Sequence, residues 1–175
     1  MRNELCDAGI SGDNEITVRH DITDPGYPSG LKVTQIFSIV NGVVNLKYIN
    51  ENFGPAALPV NSCEHCYFSA PQGYIRSKIN GRDIASVMGD SVTGVVIDLS
   101  AENLIAIPGM PEIILKQKGF AKTALWVGKY NPDGTRDKNY ICIEPVEMDP
   151  DKFGKPESMI SPGSKRTAEF SLTVR

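Results

Sequence analysis

Two short segments of this sequence carry the side chains best suited to proton transfer or metal ligation. The first is Pro59-Val60-Asn61-Ser62-Cys63-Glu64-His65-Cys66-Tyr67-Phe68. Read as an extended strand, it places Cys63, His65 and Tyr67 on one face and Glu64, Cys66 and Phe68 on the other, so His65 sits on a polar, titratable face. The second is Tyr140-Ile141-Cys142-Ile143-Glu144-Pro145-Val146-Glu147. Alternation there groups Glu144 with Tyr140 and Cys142, opposite Ile141 and Ile143, which sets a carboxylate into an otherwise apolar strand. Such a placement calls for hydrogen-bond donors or a functional site to offset desolvation; an edge-strand glutamate facing water beside Pro145 is the competing reading. Glu147 and Asp149, just beyond, read as solvated loop charges. The other histidine, His20, shares an apolar face with Ile16, Val18 and Ile22 and reads as a packed strand residue. Cys63-x-x-Cys66 has the spacing of half a structural zinc site. No second paired cluster accompanies it, neither Gly nor Pro lies between the two cysteines, and an extended strand aims their sulfurs apart. The segment therefore reads as metal-free.

The elements that must position these residues are strands. Residues 15–22 alternate strictly, as a half-buried strand does. Residues 31–40 and 43–50 are separated only by Asn41-Gly42, the pair that best tolerates the two positive φ angles of a type I′ turn, and so form a hairpin. Further β-rich runs lie at 63–68, 74–79, 92–99, 103–107, 113–118, 123–129, 140–146 and 168–174, with Gly and Pro between them. Only 83–88 and 149–153 have room for a helical turn. The pattern predicts an all-β fold of antiparallel sheets packed face to face as a β-sandwich.

The chain of 175 residues is 41% hydrophobic and 22% charged, which suits one compact domain or part of a larger one. With 18 basic and 21 acidic residues, a net charge of −3 supplies no broad cationic field, and no nucleic acid partner is expected. No apolar run approaches the roughly 20 residues that span a bilayer, and Met1-Arg2-Asn3-Glu4-Leu5 lacks the apolar core of a secretion signal. No membrane partner is expected, and the chain reads as cytoplasmic. Four cysteines are too few for a disulfide scaffold and read as thiols.

The run Pro59-Val60-Asn61 followed by His65-x-Tyr67-Phe68 resembles the signature of the aldose 1-epimerase, or galactose mutarotase-like, family. Other landmarks fall in the family's order. Gly26-Tyr27-Pro28-Ser29-Gly30 is similar to its Tyr-Pro-Gly step, with Ser29 intervening. Cys142-Ile143-Glu144-Pro145 resembles the strand with its catalytic glutamate, and Ser161-Pro162-Gly163 the turn into its last strand. Leu125-Trp126-Val127 through Asn131-Pro132 is similar to the hexose-phosphate mutarotase-like branch. The resemblance spans nearly the whole chain. It implies that residues 1–175 are a single β-sandwich domain, the carboxy-terminal part of a longer supersandwich whose upstream strands supply an arginine and often another histidine. It also implies that a missing amino-terminal segment, or a second copy in a homo-oligomer, covers exposed strand edges. No upstream residue is assigned here, and Asp83, Asp90 and Asp98 are alternatives for the family's substrate-binding aspartate.

By the same resemblance Glu144 is the base and His65 the acid of an anomer-interconverting reaction on a monosaccharide or sugar phosphate. Ring opening needs a base at the anomeric hydroxyl and an acid at the ring oxygen, exchanging roles on closure, and neither role needs a cofactor or metal. Tyr67 and Trp126 offer apolar faces to a pyranose, and Asn61 an amide, although a lone Trp in a strand is more often a core residue and Trp126 reads first as that. Two alternatives are a non-catalytic carbohydrate-binding β-sandwich and a zinc-stabilised β-protein using Cys63, Cys66 and Cys142.

Overall fold

Alternation and turn chemistry carry most of the architecture. This computed structural model describes residues 6–23, 26–89, 94–127 and 139–175, and most of its elements are strands. The first four are β1 (Asp7–Ser11), β2 (Glu15–Asp21), β3 (Leu31–Val40) and β4 (Val43–Asn52), each antiparallel to the next. Asn41 and Gly42 join β3 to β4 with φ of 49° and 76°, and Val40 pairs with Val43 as a two-residue turn requires. Short strands β5 (Leu58–Pro59), β6 (Tyr67–Ser69), β7 (Lys78–Ile79) and β8 (Arg82–Asp83) follow, then one short helix, α1 (Ile84–Met88). The remainder is β9 (Val95–Asp98), β10 (Glu102–Ala106), β11 (Ile113–Lys118), β12 (Lys122–Trp126), β13 (Tyr140–Val146), β14 (Met159–Ile160) and β15 (Lys165–Val174).

These strands form two facing layers. A nine-stranded sheet runs β1-β2-β3-β4-β15-β11-β10-β7-β8, a four-stranded sheet runs β6-β13-β12-β9, and β5 pairs with β14. Leu46, Tyr48, Leu115 and Phe170 of the larger sheet share one core with Leu125, Ile141 and Ile143 of the smaller. Alternation along β13 thus turns Ile141 and Ile143 inward and leaves Cys142 and Glu144 on the sheet's outer face. A second cluster, Leu31, Leu58, Val60 and Ile160, anchors the chain just before His65. At the outer end of the larger sheet, Ile10, Ile16, Phe37, Ile39 and Val44 form an exposed apolar strip across paired strands. Among the described residues no helix is long and apolar enough to cross a membrane.

Two expected strands are altered. Residues 74–76 form a 3-10 turn, Tyr74–Arg76, and only Lys78–Ile79 of that run is strand. The 63–68 run is strand only from Tyr67, for a reason that lies in its partner, described below. Asp24-Pro25, Asp90, Val92, Lys129 and Asn131-Pro132 lie outside the described residues. Asp83 and Asp98 are paired with Lys78 and Lys122 on the surface, 3.3 Å and 2.6 Å away.

Gly30, with φ of 105°, brings the chain into β3, and a Cβ there would lie 2.4 Å from the Gly54 backbone nitrogen. Gly42 also has positive φ, but a Cβ there meets nothing within 4 Å. Gly42→Ala is therefore expected to lose about 1 kcal/mol to left-handed strain alone. Gly30→Ala should lose substantially more, because backbone must move; urea unfolding of the two variants compares them.

Candidate active site

One cross-strand register assembles the site. Cys142 of β13 faces Tyr67 of β6, and an isolated bridge pairs Val146 with Cys63. His65 therefore stands opposite Glu144, midway between those pairs. Backbone bonds maintain the register along the segment: Ile143 N donates to Cys66 O, Glu64 N to Pro145 O and Glu147 N to Ser62 O. Pro145 has no N–H to return to the Glu64 carbonyl, which accepts from Cys66 N instead at 3.2 Å. This tight turn interrupts the strand expected at 63–68 while preserving its alternation. Cys66 packs against the core, and Glu64 turns the same way to accept the Tyr48 hydroxyl.

His65 Nε2 lies 3.1 Å from Glu144 Oε1. The imidazole is half exposed, whereas Glu144 is only 9% exposed. Its Oε1 makes no hydrogen bond, so the contact with Nε2 is close but not aligned as one. Its Oε2 accepts from the Cys63 thiol at 3.6 Å. Burial pushes the Glu144 carboxyl above the ordinary glutamate range, opposed by the His65 charge and the Cys63 hydrogen bond. Burial and the neighbouring Glu144 carboxylate in turn push Cys63 up to about 12, which keeps it a neutral donor. A buried carboxylate with one oxygen lacking a hydrogen bond is uncommon in a folded core, which makes Glu144 a candidate site residue.

Aromatic rings flank the imidazole. Tyr67 stacks on it with centroids 4.7 Å apart and planes 19° apart, and Trp126 meets it edge-on at 5.6 Å. Tyr140 closes the group, 5.7 Å from Tyr67 and 6.2 Å from Trp126. Trp126 reaches the site because β12 pairs Trp126 with Cys142, and is half-buried here and not in the core. Tyr140 was not singled out from the sequence, although it shares the alternating face of Glu144. Asn61 is placed otherwise: its amide bonds the Met148 backbone in both directions at 3.1 Å, which uses both of its polar atoms to hold the loop.

Glu147 is not a solvated charge. It is 4% exposed, with Arg166 Nη1 3.5 Å from Oε2 and Asn50 Nδ2 3.4 Å from Oε1. Arg166 also donates to the carbonyls of Val60, Glu157, Ser158 and Met159, and Asn50 to Ser62 Oγ at 2.8 Å. The sequence missed this because Arg166 and Asn50 are remote along the chain. Burial raises the Glu147 carboxyl as well, with Arg166 and Ser62 pulling it down. Asp149 pairs with Lys122 at 3.2 Å. His20 is buried as expected, beside Tyr48, Asn50 and Cys63 on the wall of a cavity of 730 Å³ that neither His65 nor Glu144 lines.

The three thiols do not form one ligand set, because Cys66 faces the core. Among the described residues the one group with metal-ligand spacing is His65, Cys142 and Glu144. Burial raises the Cys66 and Cys142 thiols to about 12 each.

No family model and no curated protein matches this chain. Solved structures do. A candidate aldose 1-epimerase from Escherichia coli K12 is 19% identical with a TM-score of 0.76, the match covering 98% of this chain and 69% of that one. A galactose mutarotase related enzyme from Lactobacillus acidophilus is 14% identical, covering 99% and 72%, with a TM-score of 0.76. A galactose 1-epimerase from Lactobacillus acidophilus NCFM is 13% identical, covering 97% and 65%, with a TM-score of 0.64. The chain has the all-β fold of these galactose mutarotase-like structures.

Two outcomes follow from the buried carboxyls. Arg166→Met strands Glu147 without its cation and is expected to lose about 3 kcal/mol in urea unfolding, more than Glu147→Gln. Because burial raises both Glu144 and Glu147 in the folded state, the stability tied to their protonated forms is full below about pH 4.3 and is lost as pH rises through the raised values. Glu144→Gln removes one of these two penalties, so it should be more stable than the parent at pH 7 and show a shallower loss above pH ~4.3.

Proposed function

We propose that this chain is a carbohydrate epimerase that interconverts the α and β anomers of an aldose by general acid–base ring opening. Glu144 takes the proton of the anomeric hydroxyl while His65 gives one to the ring oxygen, and the roles reverse on closure. The observation that carries the reading is the meeting of Nε2 and the unsatisfied Oε1 at 3.1 Å. Both reacting oxygens of a cyclic aldose are bonded to C1, so the groups that serve them must stand side by side. A carboxyl raised by burial is a stronger base than an ordinary glutamate, and its free oxygen loses no hydrogen bond on taking the proton.

The aromatic group supports a pyranose as the substrate. Tyr67, Trp126 and Tyr140 give apolar surface next to the acid, where the C–H face of a ring can rest. Their presence also supports the second reading, a carbohydrate-binding β-sandwich without catalysis, which binds sugar saturably and leaves anomer exchange unaccelerated. All four cysteines are unbridged, in keeping with a reducing cytoplasm. The exposed strip of Ile16, Phe37 and Ile39 supports pairing with a second copy of the chain; a monomer in sedimentation velocity would contradict that pairing.

Polarimetry of freshly dissolved α-glucose or α-galactose tests the catalytic reading. The parent is expected to speed relaxation, and His65→Asn and Glu144→Gln each to lower the rate by about 10²–10⁴-fold. The parent's rate should fall on acidification with a midpoint above the ordinary glutamate range. A parent no faster than buffer would overturn the assignment.

A further inference from the structure

We propose that His65, Cys142 and Glu144 also form a binding site for zinc, and that its occupancy blocks the acid–base pair. Their candidate ligand atoms, one imidazole nitrogen, one sulfur and one carboxylate oxygen, all lie within 4.8 Å of one another. Three protein ligands of these types with a fourth position open are a recurrent zinc arrangement. The placement follows from the fold: Cys142 and Glu144 are two apart on one face of β13, and the register brings His65 across from them.

A second observation points to a ligand. Glu144 is nine-tenths buried, and its Oε1 is aimed toward the imidazole with no hydrogen bond of its own. The His65 Nε2 to Glu144 Oε1 separation is 3.1 Å. Two ligands held at about 2.0–2.1 Å in a tetrahedral shell stand roughly 3.3 Å apart, so this edge of the polyhedron is already in place. A sulfur at about 2.3 Å stands roughly 3.6 Å from either of them, so the widest separation has about 1 Å to close. Closing it requires the half-exposed His65 ring to shift against Tyr67 and Trp126. When the Zn–S bond forms, the thiol proton leaves to solvent. With zinc in place, Nε2 and Oε1 both spend their lone pairs on the metal and can no longer exchange protons with a sugar. The block of catalysis rests on the epimerase reading; binding itself does not.

Equilibrium dialysis of the chelator-stripped chain against zinc salt, with metal content read by elemental analysis, tests the binding. One zinc per chain at micromolar concentration is expected. Cys142→Ser and His65→Asn should each weaken it by more than about tenfold, at least the loss typical of second-shell changes. Cys66→Ser, whose thiol faces the core, should bind as the parent does. Cobalt should give a thiolate charge-transfer absorption that Cys142→Ser abolishes and Cys66→Ser retains. Should Cys142→Ser fail to fold, His65→Asn, at a half-exposed position, carries the same comparison. No stoichiometric zinc in the parent, or undiminished zinc in His65→Asn and Cys142→Ser, would overturn the site. If the parent accelerates anomer exchange, zinc should abolish that and a chelator restore it. Full activity in the zinc-loaded chain would overturn the block while leaving the metal result distinct.

Discussion

The antiparallel register between residues 61–70 and β13 is the constraint on which the rest of the molecule depends. It extends from the Asn61 amide on Met148 to the Ala70 N–H on the Asn139 carbonyl. A slip of one residue would turn His65 toward the core and Cys66 toward the carboxylate, because side chains alternate across a strand. Pro145 breaks the ladder at one rung by withholding a donor, and the Glu64 carbonyl finds Cys66 N instead. The interruption falls beside His65, where the chain leaves strand geometry and the ring is half exposed, while bonds on either side hold the alignment.

The larger sheet determines how firmly that segment is held. Arg166 on β15 reaches the Val60 carbonyl and the Glu147 carboxylate, and Asn50 on β4 reaches Ser62 and the same carboxylate. Tyr48, also on β4, meets Glu64. Polar side chains from two central strands of one sheet thus fix a loop whose outer face belongs to the other sheet. Buried polar groups of this kind hold one geometry at the expense of stability, since each charge must be desolvated. Glu144 goes further: Cys63 satisfies one oxygen and the other has none. Burial raises the pKa of a carboxylate in that setting.

Much of the scaffold was legible in the chain. The Asn41-Gly42 turn and the span of β13 appear in the structure as read, because each depends on backbone sterics or on a period of two within a few residues; the strand read at 15–22 forms over 15–21, but Ile16, read on its inward face, is exposed. The likeness in the segments around His65 and Glu144 pointed to the fold that the solved structures share. Misreadings arose where a residue's partner was distant. Glu147 looked like a loop charge until Arg166 and Asn50 enclosed it, and the thiols suggested a trio that Cys66, facing the core, does not join. The strand at 63–68 was interrupted by a proline on a different strand.

By itself the sequence determined how side chains alternate along the 63–68 and 140–146 segments, where the chain turns at Asn41-Gly42, and that one carboxylate sits in an apolar run. Those are local properties, decided by chirality, side-chain period and turn geometry. Only the tertiary structure decided that Nε2 of His65 and Oε1 of Glu144 meet at 3.1 Å, that Tyr67 and Trp126 flank the ring, and that Glu147 is buried on Arg166. These juxtapositions depend on strand order and register between segments far apart in the chain, and on the desolvation that arises only when two sheets and a loop close over the same atoms.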